Sequence, residues 1–271
     1  MKNLEVVERG NPMKRICIAI PVHEKRELII ELLENIKYFC PNSSVVLFQS
    51  GNDPELCKDL GVPVCPTSFP LTWGQNFPWF FLNVMEWLEQ IQHPYDYLVN
   101  IDSDALFIKK GFEDFILTEM QEYDYMATRF QEPEDFWVPG LSMKKVWPLW
   151  QQIFKRETFH ASFAVGQVFS RKYVNEILNY NKLDLIKVFM KLTEKEIFAL
   201  EEMLFATLTF TLNIKAKRYP RNVDARNRVH TPFTVEEVKS MIEANEETYF
   251  IHPVKREINN PVREYAKKLM I

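Results

Sequence analysis

The chain has 271 residues, with 33 basic and 37 acidic side chains and a formal net charge of −4. A slightly acidic protein is not expected to bind nucleic acid, because neutralising its phosphates requires a basic surface. Only 7 glycines are present, and none has the spacing of the loops that cradle dinucleotides or nucleoside triphosphates. A phosphorylated ligand would therefore need another group to neutralise its charge.

The four cysteines form no C-x-x-C pair, so a zinc site is not expected. The opening MKNLEVVERGNPMKR lacks the apolar core of a secretory signal. No apolar run reaches the roughly 18 residues of a membrane span. These features favour a cytoplasmic protein. The basic segment between Lys255 and Lys268 leaves peripheral association with an anionic membrane surface open.

The first part of the chain alternates strand-like and helix-like segments. Apolar runs predict strands at Ile16–Ile20, Val45–Phe48, Val62–Cys65 and Tyr97–Ile101. Helical spacing of apolar residues predicts helices at 24–39 and 80–91. This rhythm is typical of an α/β fold with a parallel sheet between helices. Ligands of such sheets bind beyond the carboxyl ends of the strands.

The second part of the chain is less regular. Strands are predicted at Tyr125–Phe130, Ala161–Phe169, Lys215–Tyr219 and Glu246–Ile251. Helices are predicted at Arg171–Tyr180, Glu194–Leu212 and Pro261–Ile271, and loops at Gln131–Gly140 and Arg218–Arg228. No Pro/Gly/Ser-rich linker interrupts the chain. The sequence therefore predicts a single domain over residues 1–271.

Two aspartates directly follow the predicted strand at Tyr97–Ile101. Alternate residues of an extended segment point the same way, so Asp102 and Asp104 aim their carboxylates at one spot. Like charges this close raise each other's pKa, and a divalent cation, which prefers oxygen ligands, relieves the repulsion. The pair predicts a Mn²⁺ or Mg²⁺ site, and the cation would in turn hold a diphosphate. An ordinary acidic turn after a strand is the alternative interpretation.

The strand, the D-x-D motif and the preceding alternation of elements resemble the GT-A-fold glycosyltransferases, which use nucleotide-sugar donors. Residues 18–24 are similar to the opening strand and turn of the family-2 enzymes, which borders the nucleotide. Residues 48–53 and 73–76 are similar to the segments around the base and ribose and at the start of the third helix. The resemblance implies a Rossmann-like GT-A fold with a mixed, mainly parallel sheet flanked by helices.

The resemblance also divides the chain and places the donor. It implies a nucleotide-binding half at about 14–105 and an acceptor-binding and catalytic half at 106–271. The residues that would contact the nucleotide or its diphosphate are Pro21, His23, Glu24, Ser50, Asn52, Asp53, Gln75, Asn76, Asp102, Ser103, Lys255 and Arg256.

Metal ligands follow from the same resemblance. Asp104 would bind the metal directly, and Asp102 would contact the ribose, the metal or both. Several GT-A enzymes use a histidine near the C-terminus as a third ligand, followed by basic residues on the diphosphate. His252 with Lys255 and Arg256 matches that arrangement, and imidazole is a common ligand of divalent metals. A surface histidine before a turn is the alternative interpretation.

Adjacent glutamates stand in the apolar segment LEEMLFATL. Apolar surroundings raise the pKa of a carboxyl, as a general base needs, while a solvated helix face is the alternative for Glu201 and Glu202. Residues 202–208 resemble the E-x-x-W-A-T run of the core-2-type N-acetylglucosaminyltransferases, and residues 166–174 resemble the segment before it. The resemblance makes Glu202 the catalytic base and Glu201 the second candidate. The core-2 group works without a metal, so the D-x-D motif departs from it.

Three tryptophans lie in the irregular central region. Trp137, Trp147 and Trp150 are candidates for stacking on a sugar acceptor, with core packing as the alternative.

Together these features predict a metal-dependent glycosyltransferase of the hexosyltransferase class that acts in polysaccharide biosynthesis. The donor would be a nucleoside-diphosphate sugar, with a UDP-sugar favoured, and the acceptor a hydroxyl of a saccharide or another molecule. Transfer would invert the anomeric centre. Two alternatives stay open. One is a non-catalytic nucleotide- or carbohydrate-binding protein with a degenerate GT-A fold, and the other is a sugar-nucleotide pyrophosphorylase.

Overall fold

The computed structural model describes residues 15–23, 25–133 and 136–271. Its strands are β1 (Ile16–Val22), β2 (Ser43–Gln49), β3 (Tyr97–Asn100), β4 (Leu106–Phe107), β5 (Tyr125–Ala127), β6 (Val168–Ser170), β7 (Ala216–Arg218) and β8 (Phe250–Ile251). Its helices are α1 (Arg26–Phe39), α2 (Pro78–Gln90), α3 (Phe112–Glu119), α4 (Val138–Phe154), α5 (Arg171–Leu178), α6 (Leu183–Thr193), α7 (Glu201–Thr211), α8 (Arg221–Ala225), α9 (Val235–Glu243) and α10 (Pro261–Lys268).

Six strands form the central sheet, in the order β2-β1-β3-β6-β5-β7. β1 runs parallel to β2 and β3, and β7 runs parallel to β5. β6 is antiparallel to both β3 and β5. The two-stranded ribbon β4-β8 is antiparallel and separate from this sheet. The prediction of a mixed, mainly parallel sheet flanked by helices is therefore confirmed.

Both faces of the sheet are buried. Ile16, Ile18 and Ile20 of β1 belong to a core cluster with residues of α1, α3, α9 and α10. The alternate residues Cys17 and Ala19 belong to a second cluster with residues of α2 and α4 to α7. A strand covered on both faces is apolar at every position, which explains why β1 was predicted from a continuous apolar run.

The parallel strands β1, β2 and β3 place their carboxyl ends at one edge of the sheet. The turns after β1 and β2 are packed closely: the Ser50 N–H donates to the Val22 carbonyl at 2.8 Å. A Cβ on Gly51 would lie 3.0 Å from the Cα of His23, so glycine permits this approach. The crevice expected at this edge begins here.

Some predicted elements differ from the structure. The predicted strand at Val62–Cys65 is reduced to one bridge between Leu47 and Val64, because Pro63 and Pro66 lack the N–H that a ladder needs. Of the predicted strand Ala161–Phe169, only the end forms β6; residues 161–167 precede it as an irregular segment.

The structure also differs from one helix prediction and two loop predictions, and α3, α6 and α9 were not predicted. The prediction of one helix over Glu194–Leu212 is wrong, since α6 ends at Thr193 and Ala199 has a φ of 55°, which interrupts the chain before α7. The predicted loop over Gln131–Gly140 gives way to α4 at Val138; proline is tolerated in the first helical turn, where its missing N–H has no partner anyway. The predicted loop Arg218–Arg228 contains the short helix α8. No helix of the described residues is long and apolar enough to span a membrane.

Candidate active-site cleft

A large cleft opens at the carboxyl ends of β1, β2 and β3. Its volume is about 1830 Å³, whereas pockets for a single small ligand measure roughly 300–1,000 Å³. The cleft therefore has room for two ligands side by side. The D-x-D motif, both glutamates of α7 and His252 all line it.

Asp102, Asp104 and His252 converge at the floor of the cleft. The Nε2 atom of His252 lies 3.2 Å from Oδ1 of Asp104 and 4.0 Å from Oδ2 of Asp102. One ligand atom from each of the three residues lies within 4.8 Å of the other two. Their side chains are mostly buried, with 23%, 10% and 6% of their surface exposed in the order given. The structure thus brings together the three residues that the sequence singled out as metal ligands.

The ribbon β4-β8 carries His252 to the D-x-D motif. β4 begins two residues after Asp104, and its Leu106 pairs with Ile251, the residue before His252. The Val254 N–H donates to the Asp104 carbonyl at 2.7 Å, and the Arg228 N–H donates to the His252 carbonyl at 2.8 Å. Backbone hydrogen bonds therefore fix this C-terminal segment against the strand end.

The charges around Asp104 keep it ionised. Burial acts to raise the pKa of Asp104, but the adjacent His252 and Arg256 outweigh burial and hold the pKa below its usual value. The Nη2 atom of Arg256 lies 3.1 Å from Oδ2 of Asp104. Two carboxylates and an imidazole suit Mn²⁺ or Mg²⁺, so the residues present fit the expected cation.

Glu201 and Glu202 stand at the start of α7 and face the same cleft. Burial raises the pKa of Glu201 to about 8, and the charge of Asp102 adds to this shift. Burial also raises the pKa of Glu202 well above its usual value, with the charge of Glu201 adding to it and Arg129 opposing it. Neighbouring buried carboxyls do not both ionise readily, so the pair holds at least one proton at neutral pH.

The two glutamates differ in their contacts. Oε1 of Glu202 accepts a hydrogen bond from the Ala164 N–H at 3.3 Å. Oε2 of Glu201 is buried and finds no hydrogen-bond partner among the described residues. An unpaired buried oxygen is unfavourable unless a ligand or water satisfies it. The missing partner adds to the cost of ionising Glu201 and agrees with its raised pKa.

One side chain ties the strand of the D-x-D motif to α7. Asn100, the last residue of β3, donates from Nδ2 to the Ala164 carbonyl at 2.8 Å and accepts from the Gln167 N–H at 2.8 Å. The same Ala164 donates to Glu202. Residues 164–167 thus bridge the acidic motif and the glutamate pair, which holds the two groups at a fixed separation.

The residues expected around the nucleotide divide into two groups. Those that line the cleft are Pro21, His23, Ser50, Asn52, Asp102, Ser103, Lys255 and Arg256. Asp53, Gln75 and Asn76 lie outside the lining that the described residues form. Oδ1 of Asp53 accepts from the Glu55 N–H, and Oδ1 of Asn76 accepts from the Thr72 N–H, so both stabilise local turns. Glu24 falls outside the described residues.

The aromatic candidates also divide into residues of the core and residues of the cleft. Trp147 and Trp150 are 8% and 0% exposed and belong to the core, so only Trp137 of the three candidates lines the cleft. Trp73, which is 75% exposed, and Phe198 also line the cleft. In the sequence, Trp73 was identified only as part of the segment that opens the third helix, and Phe198 was assigned no role. A tryptophan beside a glycine in a turn-rich segment was the signal available for Trp73.

No family model matches the sequence, and no curated protein matches it either. Among solved structures, the fold is similar to that of the galactosyltransferase LgtC in complex with donor and acceptor sugar analogues. The TM-score is 0.52 at 10% identity, over 94% of this chain and 95% of that chain. An active-site mutant of LgtC gives a TM-score of 0.51 at 10% identity, over 93% and 94% of the two chains. The GT-A fold expected from the sequence is confirmed by this similarity.

Proposed function

We propose that the protein is a metal-dependent glycosyltransferase that takes its sugar from a nucleoside-diphosphate sugar, with a UDP-sugar as the first candidate. The observation that carries the proposal is the convergence of Asp102, Asp104 and His252 in a cleft that also holds two buried glutamates. The similarity to LgtC, solved with donor and acceptor sugar analogues, supports sugar transfer on this fold.

Asp102, Asp104 and His252 would hold the Mn²⁺ or Mg²⁺ ion. Bound there, the cation would offset the negative charge that develops on a departing diphosphate. Arg256 and Lys255 line the same part of the cleft and bring further positive charge to the diphosphate. In this arrangement, side chains and the cation neutralise the charge of the diphosphate, whereas other nucleotide-binding proteins use the backbone of a glycine-rich loop.

The nucleotide would lie across the ends of β1 and β2. Pro21 is the penultimate residue of β1 and His23 follows the strand, Ser50 and Asn52 follow β2, and all four line the cleft. Open α/β sheets bind ligands outside the carboxyl ends of their strands. With the diphosphate at the D-x-D motif, the base and ribose would extend towards these residues.

The transfer breaks one bond and forms another. The bond between the anomeric carbon and the diphosphate oxygen breaks, and its electron pair leaves with the nucleoside diphosphate. The acceptor hydroxyl oxygen forms the new bond to the anomeric carbon, and its proton passes to a carboxylate. The sequence resemblance assigns that role to Glu202, and Glu201, which lines the same cleft, is the second candidate. Positive charge near Asp102 would lower the pKa of Glu201 towards neutrality and so ready it as a base.

Direct attack on the face opposite the diphosphate inverts the anomeric configuration. Proton NMR of the first product distinguishes the two outcomes, because the coupling of the anomeric proton differs between the α and β forms. Inversion supports a glutamate acting as general base. Retention would assign the glutamate pair a role other than activating the acceptor.

Calorimetry with UDP, in the presence and absence of Mn²⁺, tests the proposal. We expect UDP to bind with Mn²⁺ and more weakly without it, and a panel of UDP-sugars to include one that the protein hydrolyses. Failure to bind any nucleoside diphosphate with Mn²⁺ would contradict the proposal. Binding without turnover across the panel would favour a non-catalytic nucleotide-binding protein.

A further inference from the structure

The cleft has an aromatic wall that the donor site does not account for. Trp73 and Phe198 line it, with ring centroids 4.8 Å apart and planes at 75°. Three quarters of the surface of Trp73 is exposed. Because an indole left in water contributes little to the core, exposure on this scale inside a concave site points to a ligand. We call Trp73 and Phe198 the aromatic shelf.

Close packing fixes the shelf in place. A Cβ on Gly74 would lie 2.0 Å from the Phe198 ring, so the ring rests directly on the backbone of this turn. The Ala199 N–H donates to the Gly74 carbonyl at 2.7 Å. The Phe198 N–H donates to Oγ of Ser142 on α4 at 2.9 Å. The segment that carries Trp73 is thereby anchored to both α4 and the chain entering α7.

The shelf lies beside the glutamate pair. Glu201 follows Phe198 by three residues, and a chain spans at most about 3.6 Å per residue, so their Cα atoms are at most ~11 Å apart. The segment that carries Trp73 also adjoins the end of β2, where the Leu71 N–H donates to the Ser50 carbonyl at 3.0 Å. A ligand on the shelf would therefore sit between the nucleotide residues and the glutamate pair, where the attacking hydroxyl meets the donor sugar.

We propose that the aromatic shelf binds the acceptor and that this acceptor is a saccharide, with one sugar ring stacked on Trp73. This inference rests on the proposed function. A sugar ring presents an apolar C–H face and a rim of hydroxyls. The indole matches the first, and the carboxyl groups of Glu201 and Glu202, which line the same cleft, match the second. An acyl chain has no hydrogen-bond donor to offer to the carboxyl groups of the cleft. The glutamate pair therefore favours a saccharide over a lipid tail as the occupant.

Oligosaccharide binding tests the proposal with three variants. The full-length protein, saturated with UDP and Mn²⁺, is applied to an array of immobilised oligosaccharides and, in parallel, to phosphatidylglycerol vesicles. Trp73→Ala removes the stacking face and Trp73→Phe retains an aromatic ring. Tyr123→Ala is the control, because Tyr123 is 37% exposed and lies outside the lining of the cleft. We expect Trp73→Ala to weaken saccharide binding at least tenfold, and the other two variants to stay within a few-fold of the wild type.

Calorimetry with UDP and Mn²⁺ on the same samples separates the two proposals. Loss of saccharide binding in Trp73→Ala, with UDP binding unchanged, supports the shelf as the acceptor site. Saccharide binding that survives Trp73→Ala, or a wild type that binds UDP but no saccharide, overturns the shelf and leaves the donor site intact. If Trp73→Ala loses vesicle binding instead of saccharide binding, Trp73 contacts lipid, and this result also overturns the shelf as a saccharide site. A wild type that fails to bind UDP contradicts the proposed function itself.

Discussion

Arg263 on α10 and Glu31 on α1 form a buried ion pair, with Nη1 3.0 Å from Oε1 and the arginine side chain fully buried. The same guanidinium donates from Nε to the Lys255 carbonyl at 2.8 Å. Lys255 lies between His252 and Arg256, which both contact Asp104. The C-terminal helix therefore fixes the segment that completes the acidic cluster.

Replacement of Arg263 should reduce both stability and cation affinity. Arg263→Met leaves Glu31 with Lys267 as its ion-pair partner among the described residues, with Nζ 3.1 Å from Oε2, and breaking a buried pair costs about 3–5 kcal/mol. Lys267→Met is the matched control: its side chain is 39% exposed, and such a pair contributes about 1 kcal/mol or less. Urea unfolding measures stability and calorimetry measures Mn²⁺ affinity. Equal Mn²⁺ affinity in folded Arg263→Met and wild type would show that the helix does not position His252.

Glutamine at either glutamate should preserve donor binding and reduce transfer. Glu201→Gln and Glu202→Gln keep the shape of the side chain but cannot take a proton, and general bases contribute about 10²- to 10⁴-fold. We expect the variant that removes the base to lose transfer in that range with its UDP affinity unchanged, and the sequence resemblance favours Glu202 as that residue. Initial rates with a UDP-sugar measure the effect. Two variants with near wild-type rates would exclude a base in this pair.

The raised pKa of Glu201 makes stability depend on pH. The group has a pKa of about 8 in the folded protein and about 4.3 in an unfolded chain. Between these values the folded state retains a proton that the unfolded state loses, so stability falls as pH rises, by at most about 1.4 kcal/mol per unit. Glu201→Gln removes this dependence and should raise the Tm more at pH 8 than at pH 5. Thermal unfolding with a chelator present checks this, and an equal shift at both pH values contradicts it.

Gly74→Ala tests how the aromatic shelf is supported. Gly74 has a φ of 71°, and an added Cβ would overlap the Phe198 ring. Gly61→Ala is the matched control, because Gly61 has a φ of 68° with nothing within 4 Å of the added atom. The control carries only the backbone strain of about 1–2 kcal/mol, whereas overpacking adds about 1–3 kcal/mol in Gly74→Ala. If the two variants lose the same free energy of unfolding in urea, the Phe198 ring moves aside without cost.

The sequence predicted the parts of the fold that depend on local pattern. The central residues of β1, β2 and β3 are apolar, and Asp102 and Asp104 lie within four residues of the end of β3. The strand and its acidic motif could therefore both be predicted. Pro133 and Pro139 suggested a loop where α4 begins, and nothing in the sequence marks the positive φ of Ala199 that separates α6 from α7.

Site residues could be predicted only where they are adjacent in sequence, as Asp102 and Asp104 nearly are, or where the family resemblance pointed to them, as for His252. His252 reaches Asp104 through the two-residue pairing of β4 and β8, which leaves no periodic pattern to detect. Trp73 lies in a turn-rich segment, and its place beside Phe198 depends on a tertiary contact with Gly74. Long-range contacts of this kind have no local signature, so the aromatic wall of the cleft required the structure.

The most direct measurement is UDP binding with and without Mn²⁺ in the wild type, Asp104→Asn and Asp184→Asn, the last an exposed aspartate of α6 outside the cleft. We expect Mn²⁺ to strengthen UDP binding at least tenfold in the wild type and in Asp184→Asn, and to have no effect in Asp104→Asn. A wild type whose UDP affinity is independent of Mn²⁺, or a full response to Mn²⁺ in folded Asp104→Asn, would rule out the proposed metal site.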